Sequence, residues 1–86
     1  MRLGGNIELY GSENLDGATM IVLKKIIGTY ARKFSEKGLE RLAVSFGDKA
    51  VRVEAVVQGS THSADKSHDN IFFCIDAALK EIESKF

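Results

Sequence analysis

The amino-acid sequence predicts an α+β fold, a two-layer sandwich in which two helices cover one face of a three-stranded mixed sheet. Two stretches carry apolar residues at the three- and four-residue spacing of an amphipathic helix. Three other segments alternate apolar and polar residues, as half-buried strands do. In the order strand, helix, strand, strand, helix, a right-handed crossover makes the first two strands parallel, and a hairpin makes the third antiparallel.

Length and composition indicate one domain spanning residues 1–86. Hydrophobic residues make up 44% of the chain and charged residues 28%, as in ordinary globular proteins. No apolar run reaches the roughly 18 residues that span a bilayer, and no cleavable signal segment is visible. We therefore expect a cytoplasmic protein without a membrane partner. The single cysteine, Cys74, excludes an internal disulfide.

The first strand is predicted at residues 6–10, and the longest helix lies within residues 15–37. Asn14 and Asp16 are both suitable N-caps of this helix, and the sequence does not choose between them. Gly38 fits the left-handed position that commonly closes a helix. The apolar stripe of the helix consists of Met20, Leu23, Ile27, Tyr30 and Phe34, widened by Ile26 and Ala31.

A hairpin follows the first helix, with strands at residues 39–46 and 50–58. Its tight turn is centred on Gly47-Asp48 or on Asp48-Lys49. The polar segment after it has two open interpretations, a loop or a short fourth strand at residues 61–64.

The last helix is predicted after this segment, with Asp65 or Ser67 as its N-cap. Its apolar stripe consists of Ile71, Ile75, Ala78, Leu79, Ile82 and Phe86.

Charge is distributed unevenly along the chain. The 12 basic and 12 acidic residues cancel, and this overall balance argues against a dedicated nucleic-acid binder. Between Met20 and Lys37, however, five basic residues and one acidic residue give +4, whereas three basic and five acidic residues between Asp65 and Phe86 give −2. The first helix therefore carries a candidate nucleic-acid-binding face, for which a solvated helix surface is the alternative: Lys24, Lys25, Arg32 and Lys33.

A second candidate surface is the sheet face turned away from the helices, which is expected to be mixed, polar and uncovered. Apolar residues outside both stripes, namely Ile21, Val22 and Phe73, indicate either a protein interface or a wider core. The candidate residues for contact with a protein partner or a second copy of the chain are Tyr10, Arg41, Arg52, Val56 and Phe73.

The sequence contains no recognisable catalytic or cofactor site. His62, Asp65, His68 and Asp69 are possible metal ligands within eight residues, but they lack the helical histidine pair and the cysteine spacings of known zinc sites. We expect a solvated loop there, with no metal, and a buried structural role for Cys74. No glycine-rich phosphate-binding motif occurs, and Glu81 and Glu83, two apart on a helix, point to different sides. Because no active site can be assembled from these residues, we expect a protein that is not an enzyme and has no cofactor.

Residues of the C-terminal half form a further pattern: Val51, Val53 and Ala55 in a strand, Ala64-Asp65 before the last helix, and Phe72, Ile75, Asp76, Ile82 and Glu83 within it. With these positions, VRVEAVVQGSTHSAD and NIFFCIDAALKEIESK resemble the end of the ribosome hibernation factor family. NIELYGSENL is loosely similar to the first strand and helix start of that family. The resemblance implies a strand-helix-strand-strand-strand-helix order and binding to the small ribosomal subunit. LDGATMIVLKKIIGTYARKFSEK also resembles small archaeal proteins with no assigned function.

Two hypotheses about function follow. The leading one is a non-enzymatic RNA- or ribosome-associated module whose first helix contacts phosphate through Lys24, Lys25, Arg32 and Lys33. The alternative is a protein-interaction or self-association module that uses the open sheet face or the Phe73 side.

Overall fold

A computed structural model describes residues 2–4 and 6–85 and confirms the α+β sandwich. The elements are β1 (Arg2–Gly4), β2 (Ile7–Tyr10), α1 (Gly17–Ser35), β3 (Leu39–Gly47), β4 (Ala50–Val57), β5 (Ser60–Ser67) and α2 (Ile71–Glu83). The strands form one sheet in the order β1-β2-β3-β4-β5. β2 and β3 are parallel, as a crossover through α1 requires, and the other neighbours are antiparallel.

The segment that was open to two interpretations is a complete strand of eight residues, β5. A two-residue turn, Gln58-Gly59, joins β5 to β4. Both turn residues have positive φ, 51° and 80°. Such turns match the twist of the strands that they connect. Every residue from Ser60 to Ser67 pairs with β4, although Ala64 is the one apolar residue among them. The short strand β1 was not predicted.

The core lies between one sheet face and the two helices. The predicted stripes are confirmed, since Leu23, Ile27 and Phe34 of α1 are completely buried. On α2 the completely buried stripe residues are Ile75, Ala78, Leu79 and Ile82. Met20 and Ile26 of α1 are partly buried at the edge of the core. Phe86, predicted as the last stripe residue, lies outside the described residues. Cys74 is completely buried on α2, as expected.

Side-chain caps fix where both helices begin. Asp16 is the N-cap of α1, where its Oδ1 accepts a hydrogen bond from the Thr19 N–H at 2.7 Å. Asn70 is the N-cap of α2 and accepts from the N–H groups of Phe72 and Phe73. The prediction of Asp65 or Ser67 for this role is wrong, because both residues belong to β5. The β3–β4 turn is centred on Asp48-Lys49, and Gly38 follows α1 with a φ of 93°.

Candidate nucleic-acid interface

The outer surface of α1 is set by the position of its core stripe. Leu23, Ile27 and Phe34 face the sheet, so Lys25 and Arg32 lie on the opposite side of the helix and are exposed. Seven residues separate these two cations, which corresponds to two helical turns and a rise of about 10 Å. We call the surface formed by Lys24, Lys25, Gly28 and Arg32 the basic face.

Ion pairing divides the basic side chains that the structure describes into two groups. Seven of them lie within 4.0 Å of a carboxylate: Lys33, Arg41, Lys49, Arg52, Lys66, Lys80 and Lys85. Four others have no ion pair within residues 2–4 and 6–85: Lys24, Lys25, Arg32 and Lys37. All four lie on α1 or in the turn that follows it. In the described part of the chain, the cations with no carboxylate within 4.0 Å are therefore concentrated at α1 and the turn that follows it.

The acidic side chains of α2 do not neutralise the basic face, because they pair with other cations. Asp76 lies 3.1 Å from Lys80, one turn along the same helix. Glu81 accepts a hydrogen bond of 2.7 Å from the ammonium group of Lys66 on β5, and this bond lowers the pKa of Glu81. Neither of these two carboxylates therefore lies within ion-pair distance of the basic face.

Lys33 differs from the other predicted phosphate-binding residues because it connects the two helices. Its Nζ lies 3.8 Å from Oε2 of Glu83 and 5.0 Å from the centroid of the Tyr30 ring. The Tyr30 hydroxyl in turn donates a hydrogen bond of 3.2 Å to Oδ1 of Asp76. Lys33 therefore contributes to packing between α1 and α2, whereas Lys37 joins the group without ion pairs.

Gly28 is an unusual residue for the middle of α1, where glycine is less favourable than alanine by about 1 kcal/mol. A Cβ built on Gly28 meets no atom within 4 Å. Gly11 provides the contrast: its φ is positive, and a Cβ there would clash with the carbonyl oxygen of Phe46. The fold requires glycine at position 11. Nothing in the described part of the chain requires it at position 28.

The apolar residues outside the two stripes are exposed and do not widen the core. The exposed fraction is 60% for Ile21, 44% for Val22 and 57% for Phe73. Ile21 and Val22 adjoin the basic face at the first turns of α1. Phe73 lies on α2, where its ring centroid is 4.5 Å from that of His68.

The open sheet face carries charges that pair with one another. On β2 and β3, the Arg41 guanidinium donates to Glu8 at 3.0 Å and to the Tyr10 hydroxyl at 3.1 Å. On β4 and β5, Arg52 donates to Glu54 at 3.0 Å and lies 3.5 Å from Asp65. These hydrogen bonds raise the pKa of both arginines further. Both arginines that the structure describes on this polar face therefore have carboxylate partners within it.

Small and partly buried residues complete that face. Val56 is half-buried. Ala43 has only 8% of its surface exposed although no helix covers it. It is paired directly between Glu8 of β2 and Glu54 of β4, whose longer side chains flank it. The candidate interface residues Tyr10, Arg41 and Arg52 surround this position.

The structure separates the four possible metal ligands of the sequence. His62 and Asp65 lie on opposite faces of β5, and Asp65 faces Arg52. Nδ1 of His68 accepts a hydrogen bond from the Asn70 N–H, while Asp69 lies 3.4 Å from Lys49. No three potential ligands converge among residues 2–4 and 6–85.

The sequence did not reveal a cleft of about 480 Å³ at the carboxyl ends of β2 and β3, beside the first turns of both helices. Among the residues that the structure describes, its charged lining consists of three carboxylates, Asp16, Asp48 and Asp69, and one cation, Lys49. Asp16 is used as a helix cap and Asp69 pairs with Lys49. The acidic lining makes this cleft unsuitable for phosphate, which leaves the basic face of α1 as the better candidate.

Comparison with known proteins adds no family assignment: no protein-family model matches the sequence, and no curated protein matches it. Among the described helices, none has the length and apolar character needed to cross a membrane.

Proposed function

We propose that this protein is a non-enzymatic RNA-binding module that associates with the ribosome through the basic face of α1. The observation that carries the proposal is the separation of the cations into two groups. The described cations without an ion pair lie on one helix or directly after it, so this surface attracts a polyanion more strongly than any other part of the described chain.

The physical basis is local charge rather than net charge. A phosphate backbone binds Lys and Arg because complex formation releases condensed counterions. A cation that already has a carboxylate partner must give up that partner to bind phosphate, whereas Lys25 and Arg32 do not. The zero net charge of the chain therefore allows binding, but confines it to one orientation of the molecule.

The resemblance of the C-terminal half to the ribosome hibernation factor family supports RNA on the ribosome as the target. From β2 to α2 the elements also follow the order that this resemblance implies. The open sheet face is the weaker basis for a function, because Arg41 and Arg52 are already paired within the face.

Reversing two charges of the basic face tests the proposal. The variant Lys25→Glu with Arg32→Glu should lower the affinity for a mixed-sequence RNA by about tenfold or more, since two phosphate contacts become repulsive. Fluorescence anisotropy with labelled RNA measures this change. Both side chains are exposed, so the thermal melt monitored by circular dichroism should keep its cooperative form.

The matched control is Lys49→Glu with Lys80→Glu, which changes the net charge by the same amount at two exposed cations that have ion pairs. This control should bind RNA nearly as well as the unmodified protein. Equal loss of affinity in both double variants would show that overall charge, and not the basic face of α1, governs binding.

A further inference from the structure

The basic face has a shape as well as a charge. Gly28 lies one turn after Lys24 and Lys25 and one turn before Arg32, and residues three or four apart are neighbours on a helix surface. Three long cationic side chains therefore surround a position without a side chain. The result is a shallow notch whose floor is helix backbone.

The folded chain does not explain why this position is glycine. A methyl carbon added at Gly28 would meet no atom within 4 Å. The φ of Gly28 also lies outside the left-handed region that favours glycine. Glycine is also unfavourable in a helix interior. A binding partner that approaches the helix backbone closely supplies the missing reason.

We propose that Gly28 is the point of closest approach between α1 and an RNA phosphodiester backbone. This inference rests on the proposed function. The three neighbouring cations have no ion pair among the described residues. Lys24 and Lys25 from one side, and Arg32 from the other, could therefore contact a compact anionic group over Gly28. A phosphate fits this requirement because its charge and its acceptor oxygens are held in one small group.

Substitutions that increase side-chain size at position 28 test the proposal. Gly28→Ala and Gly28→Gln should raise the melting temperature by a few degrees, because both residues favour helix more than glycine does. Their RNA affinity should nevertheless fall, by about fivefold for Ala and by more for Gln, since the added atoms occupy the notch. Gly17→Ala is the matched control, because Gly17 begins the same helix and also has open space for a Cβ.

Fluorescence anisotropy with the same labelled single-stranded RNA separates the outcomes. Higher stability with lower affinity at position 28, and unchanged affinity in Gly17→Ala, supports the close approach. Unchanged affinity in all three variants, with RNA binding by the unmodified protein, overturns the role of Gly28 and leaves the proposed function standing. No RNA binding by the unmodified protein overturns both. Equal competition by polyglutamate overturns the phosphodiester as the specific occupant.

Discussion

Tyr30 lies where α1 meets α2, and its surroundings favour the neutral phenol. Burial raises the pKa of Tyr30 to about 12, and the nearby carboxylates of Asp76 and Glu83 add to the effect. The folded chain therefore holds this proton more tightly than the unfolded chain, in which tyrosine ionises near pH 10. The corresponding stability is complete below about pH 10 and is lost as the pH rises toward about 12.

Replacing this tyrosine removes both the hydrogen bond and the alkaline sensitivity. Near neutral pH, Tyr30→Phe should lower the free energy of unfolding by about 1 kcal/mol, because the bond to Asp76 is lost. At about pH 11 the difference between the two proteins should shrink, since Tyr30 ionises in the unfolded chain but not readily in the folded one. Urea unfolding at both pH values measures the difference. A gap that stays constant with pH would contradict the assigned environment of Tyr30.

For individual residues, the sequence predicts which side chains are exposed better than it predicts which ion pairs they form. Helical spacing alone places Lys25 and Arg32 on the exposed side of α1, and the structure agrees, whereas Lys24 is half-buried. The ion pair between Lys33 and Glu83 could not be predicted, because it joins residues 50 positions apart whose distance depends on how the helices pack. The open space around Gly28 likewise became visible only in the folded chain.

The start of α2 shows how one element limits the next. β5 continues to Ser67, and the His68 N–H donates a hydrogen bond to the Lys49 carbonyl beside the β3–β4 turn. The chain must leave the sheet before it can turn into a helix, so the cap falls at Asn70 rather than at Asp65 or Ser67. A sequence rich in capping residue types cannot by itself indicate which of them is used.

Two alanine substitutions distinguish the actual cap from the predicted one. Asn70→Ala should reduce the free energy of unfolding by about 1 kcal/mol, because two N–H groups at the first turn of α2 lose their acceptor. Ser67→Ala, at an exposed position outside the helix, should change it by less than about 0.5 kcal/mol. Chemical unfolding of both variants measures these values. A larger effect at Ser67 would contradict the cap assignment.

Periodicity predicted the helices and the β3–β4 hairpin because each has a clear apolar face. β5 could not be predicted firmly, because Ala64 is its one apolar residue and the strand therefore lacks the alternation of apolar and polar residues. The stronger indication of β5 in the sequence is Gly59, which in the structure forms the turn with Gln58; both residues have positive φ. A glycine at the end of an alternating strand indicates a hairpin more reliably than the polar sequence that follows it.

For the whole molecule, the distribution of charge matters more than its sum. Equal numbers of acidic and basic residues give no net charge, yet seven described cations have an ion pair, whereas the four described cations without one lie on α1 or in the turn that follows it. Three or four phosphate contacts with single-stranded RNA predict a slope of about −2 to −3 for the logarithm of the binding constant against the logarithm of salt concentration. Binding should therefore be weak, oriented and strongly salt-dependent.

The most direct test of phosphate binding by α1 is an NMR titration of the isotope-labelled protein with a short mixed-sequence RNA, at about 50 and 200 mM salt. We expect chemical shift changes centred on Lys24, Lys25, Gly28 and Arg32 that diminish at the higher salt concentration. Amide signals of β4 and β5 should change little. An α1 that stays unchanged at low salt, or shift changes confined to the open sheet face, would contradict phosphate binding by the basic face.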